Sequence, residues 1–243
     1  MSIETTVVNG QPPAFASTSE RLCRPFLYGT HYVVDRVSGR ATFAGDVAPG
    51  GDVVVHPGLV GVAAAYALWL GRAAFHAGGF ISREGAWAIV GAKGEGKTTL
   101  LAALAGRGAA ILADDLLVLD GLTALAGPRT LDLRPDAAAL VGQAQVTTRV
   151  RNGERGRLHV DVVPLAVPFR GWVELRAGPV VALDPVPPAE RVSLMAPHAL
   201  RPLGPARAAT LLHLASRPAW RLQRPKRPEA LAECVDMLET LLR

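Results

Sequence analysis

The feature that most constrains this chain is the run Gly91-Ala92-Lys93-Gly94-Glu95-Gly96-Lys97-Thr98, which fits the pattern G-x-x-x-x-G-K-[S/T]. Glycines let the backbone of such a loop turn its N–H groups toward phosphate oxygens. The lysine reaches the β- and γ-phosphates, and the hydroxyl that follows it can bind Mg²⁺. Residues 86–90 are apolar and predict a buried strand before the loop, and residues 98–105 predict a helix after it. This context predicts a nucleotide-binding α/β protein.

We expect the nucleotide to be bound by the loop and the residue after it. These residues are Gly91, Ala92, Lys93, Gly94, Glu95, Gly96, Lys97, Thr98 and Thr99.

Two adjacent aspartates, Asp114 and Asp115, follow the next apolar run, residues 109–113. In open α/β sheets the ligand crevice lies at the carboxyl ends of the strands, so we expect the pair to lie beside the loop. Neighbouring residues of an extended chain point to opposite sides, so one carboxylate can hold a metal while the other meets substrate. Adjacent carboxylates also oppose each other's ionisation, which favours a base among them.

Together these residues resemble the catalytic domain of HPr kinase/phosphorylase and its kinase-like relatives. The resemblance includes Phe75-His76-Ala77, the phosphate loop, and residues 107–115, which are similar to the family's R-G-H-x-L-x-A-D-D. His76 precedes Lys97 by 21 residues and Asp114 follows it by 17, and both offsets are similar to the family's. A weaker match is Leu131-Asp132-Leu133-Arg134, which is similar to the family's L-E-I-R.

The resemblance implies an α/β fold with a P-loop, like that of HPr kinase and PEP carboxykinase: a mixed sheet flanked by helices, with a small β-rich N-terminal part. It also implies site roles. By this resemblance Asp114 would be the base that accepts the substrate serine proton, His76 would lie next to the reacting phosphoryl group, and Lys97 would complete the catalytic set. Thr98, Asp115 and Asp132 are implied at the metal. Arg134 is implied near the phosphates.

The match to the family ends after Arg134. The family has a Gly-rich stretch there that is linked to phosphorolysis, whereas residues 135–140 of this chain predict the start of a helix with proline at its first position. Kinase-like relatives from gene clusters for ribosomally made peptides, lasso peptides among them, resemble this chain in size and in lacking that stretch.

The expected function is therefore a kinase that uses ATP and Mg²⁺ to phosphorylate a serine of a protein or peptide, such as a ribosomally made (lasso) precursor peptide. Two alternatives stay open: a P-loop ATPase or nucleotide switch without an acceptor, and a kinase that acts on HPr. The position of His76 favours transfer to a hydroxyl. Homo-oligomerisation is also left open.

The remaining sequence suggests two regions. Residues 1–56 alternate short apolar runs with glycine, proline and serine and predict a small β-rich region, with strands at 26–28, 32–34, 41–43 and 53–55. Residues 57–243 are expected to form the kinase-like domain. It begins with a helix over 57–71 and ends with helices over 206–216 and 228–242. Further strands are predicted at 159–163 and 172–175, with a mobile connection over 176–188.

The location expected from the sequence is the cytoplasm. Cys23 and Cys234 lie far apart and outside any metal-ligand spacing, so both are interpreted as reduced thiols. The amino terminus lacks the basic and apolar regions of a secretory signal. The apolar stretch from Leu59 to Leu70 is too short to span a bilayer, so no membrane partner is expected.

Basic residues are concentrated near the carboxyl end of a chain whose formal net charge is +5. They are Arg191, Arg201, Arg207, Arg217, Arg221, Arg224, Lys226 and Arg227. We expect either solvated surface or a docking site for an acidic acceptor, apart from the nucleotide site. Arginines between 149 and 157 suggest a flexible basic loop with the same two interpretations. Aromatic residues do not interleave with these cations, which does not favour nucleic-acid binding. The other histidines, His198 among them, are expected to be ordinary surface or core residues.

Overall fold

The structure is a computed structural model that describes residues 2–7, 18–47, 49–141, 146, 148–200 and 206–241. The chain divides into two compact units, Met1–Gly71 and Arg72–Arg243. The sequence predicts a boundary at residue 56, before the helix expected over 57–71. In the structure that helix packs within the first unit.

The first unit is a small sheet with a helix. Its strands are β1 Ser2–Val7, β2 Arg21–Pro25, β3 His31–Asp35 and β4 Arg40–Gly45. The strand order is β1-β4-β3-β2, with β1 parallel to β4 and the other pairs antiparallel. Val34, Ala41 and Phe43 point to one face and pack against Val62 and Ala65. The strands predicted at 32–34 and 41–43 are thus confirmed.

Two strands predicted in this unit are wrong. Residues Leu27–Gly29 form a 3-10 turn, which Thr30 closes through its hydroxyl, a donor to the carbonyl of Leu27 at 2.6 Å. Residues 53–55 are helical, because α1 Gly51–Val53 continues into the helical segment Val54–Gly58. Val53 and Val54 are both buried in successive positions, and this tertiary contact overrides the strand preference of valine.

The helical run Gly51–Trp69 has the length and apolar composition of a membrane-spanning helix, with a hydropathy of 1.4 over its most apolar window. It is interrupted, however, since His56 has φ −151° and ψ 122°. The regular helix after that break, α2 Leu59–Trp69, has 11 residues. A spanning helix needs about 20 residues, so α2 by itself is too short to cross a bilayer.

The second unit is built on a nine-stranded mixed sheet. Its strands are β5 Ala73–Phe75, β6 Gly78–Ser82, β7 Gly85–Val90, β8 Ala110–Ala113, β9 Leu117–Asp120, β10 Thr123–Leu125, β14 Ala166–Ala177, β15 Ala182–Pro185 and β16 Ala219–Arg224. A separate antiparallel sheet contains β11 Thr130–Leu133, β12 Thr148–Val150 and β13 Arg155–His159. The helices are α3 Lys97–Gly106, α4 Pro135–Val141, α5 Arg191–Met195, α6 Ala206–Ala215 and α7 Ala230–Leu241. The expected mixed sheet flanked by helices is confirmed.

The direction of the strands brings the predicted site residues to one end of the sheet. Strand β6 lies between β7 and β8 and is antiparallel to both, so β7 and β8 run the same way. The loop after β7 and the aspartates after β8 therefore emerge together. Strand β5 is antiparallel to β9, with Phe75 opposite Leu117, and this pairing places His76 beside the aspartate turn.

Alternation along β7 separates two cores. Ala86, Ala88 and Val90 face a core that includes residues of α5 and α6, whereas Trp87 and Ile89 face a core that includes residues of α3 and α7. The apolar stripe predicted on the last helix is confirmed over the described residues. Its buried members are Leu231, Cys234, Val235 and Leu238. Residue 242, the last member of that stripe, lies outside the described residues.

Two further local predictions are wrong. The strand expected at 159–163 is displaced, because β13 ends at His159. The connection expected to be mobile over 176–188 instead contains β15, which pairs antiparallel with β16. Val186, which is 1% exposed, donates its N–H to the carbonyl of Ala219 at 2.8 Å. Burial of this residue orders a segment that its proline and glycine content predicted to be loose.

Trp172 is fully buried, packs edge-on against Phe75 and Phe169, and donates its indole N–H to the carbonyl of Leu214. We expect Trp172→Ala to lower the free energy of unfolding by about 3–5 kcal/mol through the cavity it leaves. Trp172→Phe keeps most of the packing and should cost about 1–2 kcal/mol for the lost hydrogen bond. Urea unfolding followed by circular dichroism measures both. Equal losses for the two variants would contradict this account.

Candidate active site

A cavity of about 620 Å³ lies at the sheet end where the loop and the aspartate turn emerge. Its size is within the range of small-ligand sites. Six of the predicted nucleotide-binding residues line it: Lys93, Gly94, Gly96, Lys97, Thr98 and Thr99. Gly91 and Ala92 contribute through their backbone, because their carbonyls accept hydrogen bonds from Lys97.

Two glycines of the loop are required by geometry. Gly91 leaves β7 so close to β14 that a Cβ there would lie 2.5 Å from the carbonyl oxygen of Leu175. Gly96 has φ +94° and precedes the first residue of α3. A Cβ on Gly96 would meet the guanidinium of Arg224. Because Gly96 has no side chain to cap the helix, the first N–H groups of α3 are left to an anion.

The ammonium group of Lys97 is held inside the loop. Its Nζ donates to the carbonyl of Gly91 at 2.8 Å, and the residue is 8% exposed. Burial lowers the pKa of Lys97, and the nearby carboxylates of Asp115, Asp114 and Glu95 partly offset that shift. A buried cation that neighbouring carboxylates and loop carbonyls stabilise is preorganised for phosphate oxygens.

The two aspartates have different environments. Asp114 is 2% exposed and accepts a hydrogen bond from the hydroxyl of Thr98 at 3.3 Å. Asp115 is half-buried and lines the cavity. The chain turns tightly at Asp115, which has φ +61°, and the N–H of Leu116 donates to the carbonyl of Asp114 at 2.7 Å. A non-glycine residue in this conformation is strained, and such strain is concentrated at functional sites.

His76 holds this turn. Its Nδ1 lies 3.1 Å from the carbonyl oxygen of Asp115, and its ring lines the cavity. Its backbone N–H donates to the carbonyl of His198 at 2.7 Å. The pKa of His198 is lowered by burial, and its neighbours Lys97 and His76 lower it further. His198 is thus a neighbour of the site that the sequence analysis treated as ordinary, and no local pattern in the sequence marks it.

Thr98 and the two aspartates fit a magnesium site in part. Mg²⁺ is usually held by one or two carboxylates together with substrate phosphates and waters. A hydroxyl and two nearby carboxylates meet that need. Among the described residues, no group of three or more His, Cys, Asp or Glu side chains is arranged to hold a metal by itself.

Asp132 lies at the cavity but has arginine partners. The carboxylate accepts hydrogen bonds from Arg157 at 2.7 and 2.9 Å, and Nη2 of Arg151 lies 3.2 Å from it. Both oxygens of the Asp132 carboxylate are therefore in contact with guanidinium groups. The metal role of Asp132 stays a prediction, and in this structure its carboxylate anchors the hairpin formed by β12 and β13. Arg134, the next predicted nucleotide contact, also lines the cavity.

The basic carboxyl-terminal segment was expected to lie apart from the nucleotide site, and for its end this is wrong. Arg224, Lys226 and Arg227 line the same cavity. Arg224 donates to the carbonyl of Glu95 at 3.3 Å. Arg221 instead pairs with two acids, Glu174 at 2.8 Å and Glu190 at 3.2 Å. Position 201 and the side chain of position 207 lie outside the described residues.

The comparisons with known proteins give limited information. No family model and no curated protein matches the chain. Among solved structures, the chain is similar to the HPr(Ser) kinase/phosphatase from Coxiella burnetii, with 13% identity and a TM-score of 0.34. The match covers 69% of this chain and 96% of that one. A similarity this low carries no conclusion about function.

A matched pair of glycine variants tests the loop. Gly94 and Gly96 both have left-handed backbones, but a Cβ on Gly94 would meet nothing within 4 Å. We expect Gly94→Ala to lower the free energy of unfolding by about 1–2 kcal/mol through backbone strain alone. Gly96→Ala should cost more, because it also displaces Arg224. Urea unfolding without nucleotide measures both, and an equal cost would show that the contact with Arg224 is unimportant.

Proposed function

We propose that this protein is a kinase that uses ATP and Mg²⁺ and transfers the γ-phosphate to a hydroxyl group. One observation supports the proposal most strongly: Lys97, Thr98, Asp114 and Asp115 converge at one sheet end, with Asp115 on a cavity that can admit an acceptor. Phosphoryl transfer needs mainly positioning and neutralisation of charge, and these groups supply both.

Each group has a part in this proposal. Lys97, which donates to the carbonyl of Gly91 in this structure, would neutralise the β- and γ-phosphates, and the first N–H groups of α3 would also bind their oxygens. Thr98 and the carboxylate hydrogen-bonded to it, Asp114, hold Mg²⁺. His76 fixes the turn through the carbonyl of Asp115 and thereby positions the carboxylate of Asp115.

The base is one of the two aspartates. Family resemblance favours Asp114, as the sequence analysis predicted. The cavity geometry favours Asp115, because that carboxylate lines the cavity whereas Asp114 is 2% exposed and bonded to the metal-binding hydroxyl. We adopt Asp115 as the base, since a general base must reach the hydroxyl whose proton it takes.

The acceptor and location in this proposal come from the resemblance and from the cysteines. The acceptor is a serine of a protein or peptide, with a ribosomally made precursor peptide as the specific candidate. Cys23 and Cys234 are both buried thiols, which supports a reducing compartment such as the cytoplasm.

Nucleotide binding is tested at Lys97. Lys97→Ala removes the cation that meets the β- and γ-phosphates, so we expect the affinity for Mg²⁺·ATP to fall at least about tenfold. Isothermal titration calorimetry measures this. Arg83→Ala is the control, because Arg83 is exposed in the hairpin between β6 and β7, at the far end of the sheet. Equal affinity in wild type and Lys97→Ala would refute nucleotide binding at this loop.

The aspartates are tested as a pair. Asp115→Asn should leave the affinity for ATP nearly unchanged and slow phosphoryl transfer by a factor of about 10² to 10⁴, the usual contribution of a general base. Asp114→Asn should instead raise the Mg²⁺ concentration needed for half-maximal rate. Release of ADP is measured across a Mg²⁺ titration. The reverse pattern would restore Asp114 as the base.

ATP hydrolysis without an acceptor is the second candidate, since a hydroxyl-bound aspartate followed by a second carboxylate also suits activation of water. The discriminating measurement is ADP release with and without serine peptides. Release that no peptide accelerates, with no phosphopeptide formed, would favour the ATPase.

A further inference from the structure

We propose that Arg134, Arg151 and Arg155 form a second anion-binding site in this cavity, which holds a carboxylate or phosphate group of an acidic peptide acceptor. This inference rests on the proposed function, because it names the class of acceptor that the kinase would use. The three arginines line the cavity together with the phosphate loop.

The hairpin between β12 and β13 presents two of these arginines. Arg151 and Arg155 lie on either side of its tip, and β13 pairs with β11 so that Asp132 is opposite Arg157. Arg134 follows β11 directly. At the tip, Arg151, Asn152 and Gly153 all have positive φ, at 54°, 56° and 85°. Two of these are not glycine, and such strained positions recur where side chains are aimed at a ligand.

The cations of this cluster exceed its acids. Arg157 and Arg151 are paired with the buried carboxylate of Asp132, and Arg134 and Arg155 line the same cavity. Within the described part of the chain, neither Arg134 nor Arg155 forms an ion pair. The pKa of Arg155 is lowered by burial and by the charges of Arg151 and Arg134. Arg151 and Arg155 are half-buried and Arg134 is exposed. Cations that repel one another are stabilised when an anion binds between them.

Asp115 lies close to both this cluster and the nucleotide loop. Lys97 interacts with Asp115, Asp114 and Glu95. Arg155 interacts with Arg151, Arg134, Asp132 and Asp115. Asp115 is the carboxylate that the two groups of charges share. An acceptor anchored by its anion on the arginines would therefore hold its hydroxyl at Asp115, with the phosphates of ATP on the loop side.

The chemistry of the site defines its ligand. Guanidinium groups bind carboxylates and phosphates through paired hydrogen bonds, and these bonds are stronger than neutral ones. A peptide with acidic side chains next to its serine supplies carboxylates at short distance from the hydroxyl. A phosphate on the acceptor offers the same chemistry, so the experiment separates these two sources.

The experiment first fills the loop with Mg²⁺ and AMP-PNP, a non-hydrolysable ATP analogue, and then titrates a second ligand by calorimetry. The ligands are the peptide Ac-Glu-Glu-Ser-Glu-Glu-NH2, its matched neutral form Ac-Gln-Gln-Ser-Gln-Gln-NH2, and inorganic phosphate. The variants are Arg155→Gln and Arg134→Gln, with Arg83→Gln as the control. The affinity for AMP-PNP is measured in every preparation, and it also reports whether each variant folds.

We expect the acidic peptide to bind with the loop filled and the neutral peptide to bind at least about tenfold more weakly. Each arginine variant should weaken the acidic peptide about tenfold, and Arg155→Gln should also leave AMP-PNP affinity unchanged. If inorganic phosphate binds and the acidic peptide does not, the group that the site holds is a phosphate on the acceptor and not a carboxylate.

Three results would overturn the inference. The first is that no anion binds once AMP-PNP is present, and the second is equal binding of the two peptides. The third is that Arg155→Gln weakens AMP-PNP binding and leaves peptide binding intact, because Arg155 would then serve the nucleotide. A protein that does not bind AMP-PNP at all refutes the proposed function instead, and the acidic peptide then still tests the arginine site by itself.

Discussion

The position of β6 between β7 and β8 is the constraint on which the rest of the second unit depends. Antiparallel pairing on both sides of β6 makes its two neighbours run in the same direction. The phosphate loop and the aspartate turn must then leave the sheet at the same end. The contact between Thr98 and Asp114 follows from this arrangement and joins residues 16 positions apart in the chain. Strand β14, parallel to β7, continues the same edge and contacts the loop at Gly91.

Charge at the cavity is organised around buried carboxylates. Asp114 and Asp115 lie near the ammonium of Lys97, and Asp132 is bonded by Arg157. A buried ion pair contributes little net stability, but removal of one partner leaves an uncompensated charge that typically costs about 3–5 kcal/mol. The pair between Asp132 and Arg157 therefore holds the hairpin tip in one place, which matters because that tip presents Arg151 and Arg155 to the cavity.

Several elements were predictable because their signals are local. The loop, the helix after it and the stripe of α7 each depend on residues close in sequence, and the structure places them as expected. The wrong predictions concern segments whose secondary structure depends on contacts with distant residues. Residues 53–55 are helical because Val53 and Val54 are buried together, and β15 forms because β16, about 40 residues later, pairs with it. The roles of the two aspartates also depend on a turn at Asp115 that the sequence does not mark.

The sequence by itself determined the phosphate loop, because glycines, a lysine and a hydroxyl at that spacing need only their own backbone to form an anion site. The family resemblance predicted that His76 lies beside the loop, and the strand pattern predicted the same of the aspartates. Only the tertiary structure decided what surrounds them. Arg224, the last residue of β16, contacts the loop at the carbonyl of Glu95. The hairpin of β12 and β13 lies at the cavity because β13 pairs with β11. These contacts join distant parts of the chain, and strand pairing rather than local pattern determines which side chains share the cavity.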